Sequence, residues 1–477
     1  MQIAFICSEY EGLLKTGGLA DATRGLAEAL QQLGHQVLVI LPRYGTLYSQ
    51  PLDEQWQSVY LTLGGQTLGC AVRTLQLQGI QIALIEHHDL FARPRPYDDG
   101  EHPYPDNAFR FGFFCQAALS YLSTLPTPPA IIHGHDWQSA LSAVYLKQLQ
   151  QQGQLLHSRF ILTIHNAAYQ QGIGRHELAG LGLTESDVPA QGNLSLLSLG
   201  VAHASALNTV SVGYRQELLS EPAANGLSEL YQARQADFVG ILNGCDYGRW
   251  DPQHDPALAA SYHVAELTGK ARCKAALRHK VGLVEEATLQ GTGKSVPLFV
   301  AVSRVTSQKG FSFLIPALQQ WLATTAAEVV MMGTGEQQFI QPLRQLQQQF
   351  PGNYRFIEGF DEDFSHQLEA AGDFFLMPSL FEPCGLNQIY SLRYGTVPLV
   401  RSTGGLKDTV RGLAERGPTG ISFAEPTAED LILALHQAEQ LYLDQRKYRA
   451  IQQRGMKMYF GWDQAASKYL QLYRHHP

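Results

Sequence analysis

Lys15-Thr16-Gly17-Gly18-Leu19-Ala20-Asp21 places a cation and two glycines between an apolar run, Gln2–Cys7, and a segment of helical periodicity from Leu19 to Leu33. A lysine and paired glycines at a strand-to-helix turn suit anion binding. The first helical N–H groups have no intrahelical partner, and glycine lets the backbone approach a ligand closely. A similar turn recurs far down the chain as Ser402-Thr403-Gly404-Gly405-Leu406. Ahead of it stand Arg304 and Lys309 in Ser303-Arg-Val-Thr-Ser-Gln-Lys-Gly310, and Glu382 in Phe381-Glu-Pro-Cys-Gly385. Two sets of anion-binding turns, one in each half, predict a phosphorylated ligand held between two domains.

Other chemistries fit less well. Gly333-Thr-Gly-Glu-Gln-Gln338 begins like a dinucleotide fingerprint, but Gln338 fills the third glycine position, which argues against a dehydrogenase. Gly291-Thr-Gly-Lys-Ser295 resembles the tail of a P-loop, yet it precedes a strand-like run instead of following one, so it reads as linker. Asp361-Glu-Asp363 could be a metal-binding pair, but its place before a helix at Phe364–Ala371 favours capping. His133 and His135 in His133-Gly-His135-Asp136 share a strand face and could hold a metal, although no third ligand is evident. The plainer reading is a loop at a strand's C-terminal end, where open α/β sheets bind ligands.

The elements that must position these residues are continuous apolar runs alternating with helical segments. Strands are predicted at Gln36–Leu41, Ala130–His133, Phe160–Ile164, Leu207–Val210 and Phe238–Leu242, then at Leu298–Ser303, Val329–Gly333, Tyr354–Gly359, Phe374–Pro378 and Val397–Val400. Unbroken hydrophobicity suits parallel strands covered on both faces, and the alternation with helices predicts doubly wound sheets. The expected division is an N-terminal domain over 1–243, a Pro- and Gly-rich linker over 244–296, a second domain over 297–458, and a terminal helix within 459–477 that could pack back on the first domain.

At 477 residues, two or three domains are expected. A net charge of -8 without a basic block argues against nucleic acid as the main partner. No apolar stretch is long enough to cross a bilayer, and no basic leader precedes the first strand, so a cytosolic protein is expected. The six cysteines contain no C-x-x-C pair and read as buried free thiols.

Taken in order, Lys-Thr-Gly-Gly-Leu-Ala-Asp at 15–21, His-Asp-Trp at 135–137, Ile-His-Asn at 164–166, Leu-Asn-Gly at 242–244, Ser-Arg-x-Thr-Ser-Gln-Lys-Gly at 303–310, Phe-Glu-Pro-Cys-Gly-Leu at 381–386 and Thr-Gly-Gly-Leu-x-Asp-Thr-Val at 403–410 resemble the bacterial glycogen synthases and plant starch synthases. The resemblance spans essentially the whole chain. It implies the GT-B fold, two Rossmann-like domains facing across a cleft. It also implies retaining transfer of glucose from ADP-glucose, a substrate and not a cofactor, to the non-reducing end of an α-1,4-glucan, with no catalytic metal. By the same resemblance, Arg304 and Lys309 hold the phosphates and Glu382 is the essential carboxylate beside the glucose. His165, the fourth residue of this catalytic set, lies near the sugar's 6-hydroxyl. Lys15, Gly17, Gly18, Gly385, Leu386, Gly404 and Gly405 line the donor, with Gly359 and Phe360 on the adenine side. Asp21, Asp136 and Asn243 contact sugar or acceptor.

The chain departs from the family pattern at Ser198, where lysine is usual, and at Ser205, Cys273, Asn387 and Ser391. Ser198 and Ser205 bear on the acceptor side, whereas the donor motifs are complete. A UDP-glucose-using or small-acceptor relative, and a non-catalytic glucan-binding protein, stay open as alternatives. Oligomeric state is not legible.

Overall fold

The structure is a computed structural model that describes residues 1–283 and 296–475. The Gly291–Ser295 segment and His476 lie outside the described residues. The chain forms two compact units: Met1–Gly244 together with the segment from Trp462 onward, and Cys245–Gly461.

In the first unit the strands are β1 (Gln2–Ile6), β2 (Gln36–Pro42), β3 (Trp56–Leu63), β4 (Gln66–Leu77), β5 (Ile80–Glu86), β6 (Ile131–His135), β7 (Arg159–Ile164), β8 (Ala206–Thr209) and β9 (Phe238–Gly240). They form one sheet in the order β3-β4-β5-β2-β1-β6-β7-β8-β9. The stretch from β5 to β9 is parallel, and its central strands are buried on both faces, which is why they read as unbroken apolar runs. β3 and β4 form an antiparallel hairpin whose strands carry no continuous apolar run. In β3 only Val59, Leu61 and Leu63 are buried, an alternation typical of a sheet edge, and Gly64-Gly65 make the turn with positive φ at both positions.

The helix Trp462–His475 belongs to this first unit. Ala466, Tyr469 and Tyr473 are buried in its core, and the Trp462 indole lies where any side chain at Gly25 would sit.

The second unit has β10 (Leu298–Val302), β11 (Glu328–Gly333), β12 (Tyr354–Glu358), β13 (Phe374–Met377), β14 (Val397–Arg401) and β15 (Ile421–Phe423). The order is β12-β11-β10-β13-β14-β15, all parallel. The described part of 244–296, expected as a linker, is packed into this unit. Its helix Thr268–Lys280 buries Cys273 and Leu277, and Lys270 Nζ donates to Ala370 O at 2.9 Å and Thr396 Oγ1 at 2.7 Å. Proline and glycine there shape a packed segment and not a free connector.

Each sheet reverses its strand order once at its centre, between β1 and β6 in the first unit and between β10 and β13 in the second. The loops that leave the C-terminal ends of two such strands diverge and open a crevice, the position where doubly wound sheets bind ligands. The segments Lys15–Asp21, Ser303–Gly310, Phe381–Gly385 and Ser402–Leu406 each follow one of these strand ends or an adjacent one.

Candidate functional site

In the second unit, β10 is followed by Ser303–Thr306, a single 3-10 turn at Ser307–Lys309, and the helix Phe311–Leu322. Gly310 joins turn and helix at φ 79°, and a Cβ there would lie 2.0 Å from Pro378 O. Glycine thus lets the β10 turn close directly onto the loop after β13. That contact brings Lys309 Nζ to 2.5 Å from Glu382 Oε2, and Ser379 Oγ donates to the same oxygen at 3.0 Å. Glu382 is 6% exposed.

The loop carrying Glu382 is fastened from both sides. Leu380 N donates to Gln308 O at 2.8 Å, Arg401 Nε donates to Ser379 O at 2.8 Å, and Gly405 N donates to Glu382 O at 3.0 Å. Gly405 is pressed against this loop, since a Cβ would fall 2.1 Å from Cys384 O. Gly404 and Gly405 open the helix Gly404–Thr409, while Gly385 and Leu386 precede the helix Asn387–Tyr394. Arg304 is exposed at the end of β10. Gly359 and Phe360 follow β12, two strands away, and the Phe360 ring is 69% exposed. Asp361 does cap its helix, its Oδ1 accepting from Phe364 N at 2.7 Å.

In the first unit, sequence reasoning missed the residue that shapes the lysine–glycine turn. Glu9, buried just after β1, accepts from Thr16 N at 2.6 Å, Thr16 Oγ1 at 2.6 Å and Gly17 N at 3.2 Å. Tyr97 OH donates at 2.8 Å to Glu9 Oε1, the oxygen that also accepts from Thr16 Oγ1. An acid in the first apolar strand's exit loop was the available signal. Two backbone donors of the turn are therefore already engaged, and the N–H groups left for an anion begin at Gly18, the first helical residue. Lys15 is tied to Asp21 at 2.6 Å and remains exposed. Nothing lies within 4 Å of a Cβ built on Gly17 or Gly18. These glycines keep space clear, whereas Gly405 serves packing. Gly17→Ala should therefore leave the melting temperature unchanged, while Gly405→Ala should cost about 1–3 kcal/mol by overpacking. Thermal denaturation of both variants checks the contrast.

At the other side of the same switch point, His135 ends β6, Asp136 follows it, and His165 follows β7. Asp136 Oδ1 accepts from His165 N at 2.6 Å and from Asn166 N at 3.3 Å. Asp136 has φ 57° and ψ -172°, a strained backbone for a residue with a side chain. His135 Nδ1 lies 3.0 Å from His165 Nε2. His133, two residues earlier, is enclosed between Thr163 Oγ1 at 2.6 Å and Tyr473 OH at 2.8 Å. Its nitrogens are thus both used within the fold. Among the described residues no group of three His, Cys, Asp or Glu side chains is arranged to hold a metal ion. Asn243 is buried at the end of the first unit, its Oδ1 without a hydrogen-bond partner.

Burial pushes the Asp136 carboxyl up to about 7 and the His165 imidazole down to about 3. A carboxyl whose folded-state value is raised favours the fold while protonated and opposes it once ionised. Between about pH 4 and 7 Asp136 thus withdraws stability, by roughly 4 kcal/mol at most. Asp136→Asn keeps an acceptor for both N–H groups, so its stability relative to the parent should rise across that window. Denaturant unfolding at pH 4, 5.5 and 7 measures it, and a difference independent of pH would refute the assignment.

Comparison with known proteins places these features in a family. The family described as "Starch synthase catalytic domain" matches residues 2–233, and "Glycosyl transferases group 1" matches residues 289–458. The glycogen synthase of Aeromonas hydrophila is 38% identical over 484 aligned residues, covering 99% of this chain and 98% of that protein. The chain belongs to the glycogen and starch synthase family. The glycogen synthase of Vibrio cholerae is 39% identical with 98% of each chain covered. The catalytic domain of starch synthase IV from Arabidopsis thaliana, solved bound to ADP and acarbose, superposes with a TM-score of 0.87 at 30% identity, covering 99% of this chain and 98% of that one. The fold is thus GT-B.

Three of the residues expected to depart from the family pattern have defined local partners. Ser198 completes a reciprocal cap at the start of the helix Leu196–His203: Ser195 N donates to Ser198 Oγ at 2.9 Å and Ser198 N to Ser195 Oγ at 3.1 Å. Asn387 donates from Nδ2 to Val302 O at 2.8 Å, tying its helix to the end of β10. Ser391 Oγ sits 2.8 Å from the buried carboxyl of Glu369. Nothing in the structure explains Ser205.

Proposed function

We propose that the protein transfers glucose from ADP-glucose to the non-reducing end of an α-1,4-glucan with retained anomeric configuration, using Lys309, Arg304, Glu382 and His165 as its catalytic groups. The observation that carries this reading is the Lys309–Glu382 pair held at the switch point of the second sheet. The bond that breaks joins the anomeric carbon of glucose to the diphosphate, leaving positive charge on the sugar and negative charge on ADP. A fixed ammonium beside a fixed carboxylate offers complementary charge to both developing centres. Arg304, exposed on the same turn, adds a second cation for the phosphates. ADP departs as a stable anion, so no strong general acid is required.

The donor's phosphates are further assigned to Lys15 and the two glycine turns. Gly18 offers its N–H, and Gly17, Gly404 and Gly405, two of whose N–H groups are engaged within the fold, contribute only close backbone approach. Gly385 and Leu386 lie beside them, and the adenine is assigned to Gly359 and Phe360. His165 is assigned to the glucose. Asp21, Asp136 and Asn243 are assigned to sugar or acceptor contacts. Family membership supports the glucan acceptor and the nucleotide-sugar donor. No helix among the described residues is long and apolar enough to cross a membrane; a cytoplasmic location is part of the proposal.

Incubation of the purified protein with glycogen and either ADP-glucose or UDP-glucose, followed by measurement of released nucleotide, tests the donor. Glycogen-dependent release of ADP is the expected result. Release of UDP alone would reassign the donor, and release of neither would defeat the transferase reading.

A further inference from the structure

We propose that His135 is a positioning residue that fixes which nitrogen of His165 carries the proton, so that His165 presents an N–H, on Nδ1, to its sugar. The assignment comes from counting donors and acceptors around two adjacent rings. His135 Nδ1 and His165 Nε2 are 3.0 Å apart, so a single hydrogen lies between them when both rings are neutral. Both are neutral at ordinary pH, because burial pushes His165 down to about 3 and His135 well below its usual range. The remaining nitrogen of His135, Nε2, is enclosed and has no hydrogen-bond partner, and the residue as a whole is 1% exposed. Were His165 the donor, His135 would have to carry its own proton on that enclosed Nε2, leaving a donor unsatisfied. With His135 as donor, the enclosed atom is a bare lone pair. Orphaned buried N–H groups are the rarer of the two faults in folded proteins. The shared hydrogen therefore sits on His135 Nδ1, and His165 keeps its own on Nδ1.

The surroundings leave this arrangement little freedom. Thr163 Oγ1 donates to Asn208 Oδ1 at 2.7 Å, so it accepts from His133 Nε2, and His133 Nδ1 accepts from the Tyr473 hydroxyl. Asn208 Nδ2 in turn donates to Tyr469 OH at 3.0 Å. His133 is thereby committed to one proton position, and its ring stands 4.2 Å from that of His135, with Phe5 edge-on at 5.0 Å from the latter. Asp136, the next residue, clamps the backbone N–H of His165. Two consecutive residues at the end of β6 thus set the backbone and the proton of one histidine on β7's exit. A neutral histidine in water favours its proton on Nε2, so the site selects the opposite form. The consequence for catalysis rests on the reading of His165 as a glucose contact, whereas the proton position does not.

The test is nitrogen-15 NMR of the full chain with labelled histidine, the His165 signals identified by their loss in His165→Gln. Between pH 6 and 8, His165 Nε2 should resonate as an unprotonated nitrogen and Nδ1 as a protonated one. A protonated Nε2, or a signal moving with pH as in imidazolium formation, would overturn the inference. Transfer kinetics supply the second arm. His135→Asn places an amide N–H where Nδ1 was, and should keep both the proton position and kcat/KM within about three-fold. His135→Phe removes the donor and should lower kcat/KM by roughly ten-fold, the size of one hydrogen bond to a neutral hydroxyl. In a His165→Ala background, His135→Phe should have no further effect. Equal losses for Asn and Phe, or additive losses with His165→Ala, would show a merely structural role. A wrong proton position in the wild-type enzyme sinks this inference and leaves the transferase reading standing. Absence of transfer from either donor, with the proton as assigned, sinks only the transferase reading.

Discussion

Glu382→Gln should lower turnover by roughly a hundred-fold while leaving the protein almost as stable as its parent. The amide keeps the shape of the carboxyl and can still accept from Ser379 Oγ, which lies 3.0 Å away in the parent. What it loses is the negative charge proposed to favour a cationic anomeric carbon, a fixed electrostatic contribution of about 3 kcal/mol. Lys309, partly open to solvent, can turn its ammonium to water, so the fold loses little. Turnover at saturating ADP-glucose and glycogen, with thermal denaturation of the same preparation, reads both quantities.

Lys309→Ala should differ in the second quantity. Its turnover should also fall by roughly a hundred-fold, since one fixed cation is removed from the leaving diphosphate. Yet it leaves Glu382 enclosed with no counter-charge. Breaking a buried pair by removing one partner costs about 3–5 kcal/mol, more than the pair itself contributes, because the remaining charge is stranded. The variant should therefore melt well below Glu382→Gln. Replacing both, as Lys309→Met with Glu382→Gln, should recover most of that stability and none of the activity. Equal melting temperatures for Lys309→Ala and Glu382→Gln would contradict the view that Glu382 is the desolvated member of the pair.

The donor half of this site was legible because its chemistry is written in short contiguous segments. Ser303–Gly310, Phe381–Gly385 and Thr403–Gly405 each leave the end of a parallel strand, and those strands announce themselves as apolar runs. What sequence could not supply was pairing across a distance. Nothing local says that Lys309 reaches Glu382 over 73 positions, that Glu9 folds back on Thr16 and Gly17, or that Tyr473 closes on His133. His133 and His135 look alike in sequence, two positions apart on one strand. Only the third dimension separates them: one is consumed by Thr163 and Tyr473, the other faces His165. The β3–β4 hairpin escaped because a half-buried edge alternates and carries no continuous run, although Gly64-Gly65 between two alternating stretches was a usable turn signal. The 244–296 stretch misled because proline and glycine mark packed irregular structure as readily as free linkers.

The measurement closest to the central claim is the single-turnover rate of glucose transfer from saturating ADP-glucose to glycogen, compared between the parent and Lys309→Ala. Saturation removes differences in donor affinity, so the rate reports the step in which the sugar leaves the diphosphate. A fall of roughly a hundred-fold is the predicted result. Transfer at the parental rate would contradict the proposal that the Lys309–Glu382 pair carries the chemistry.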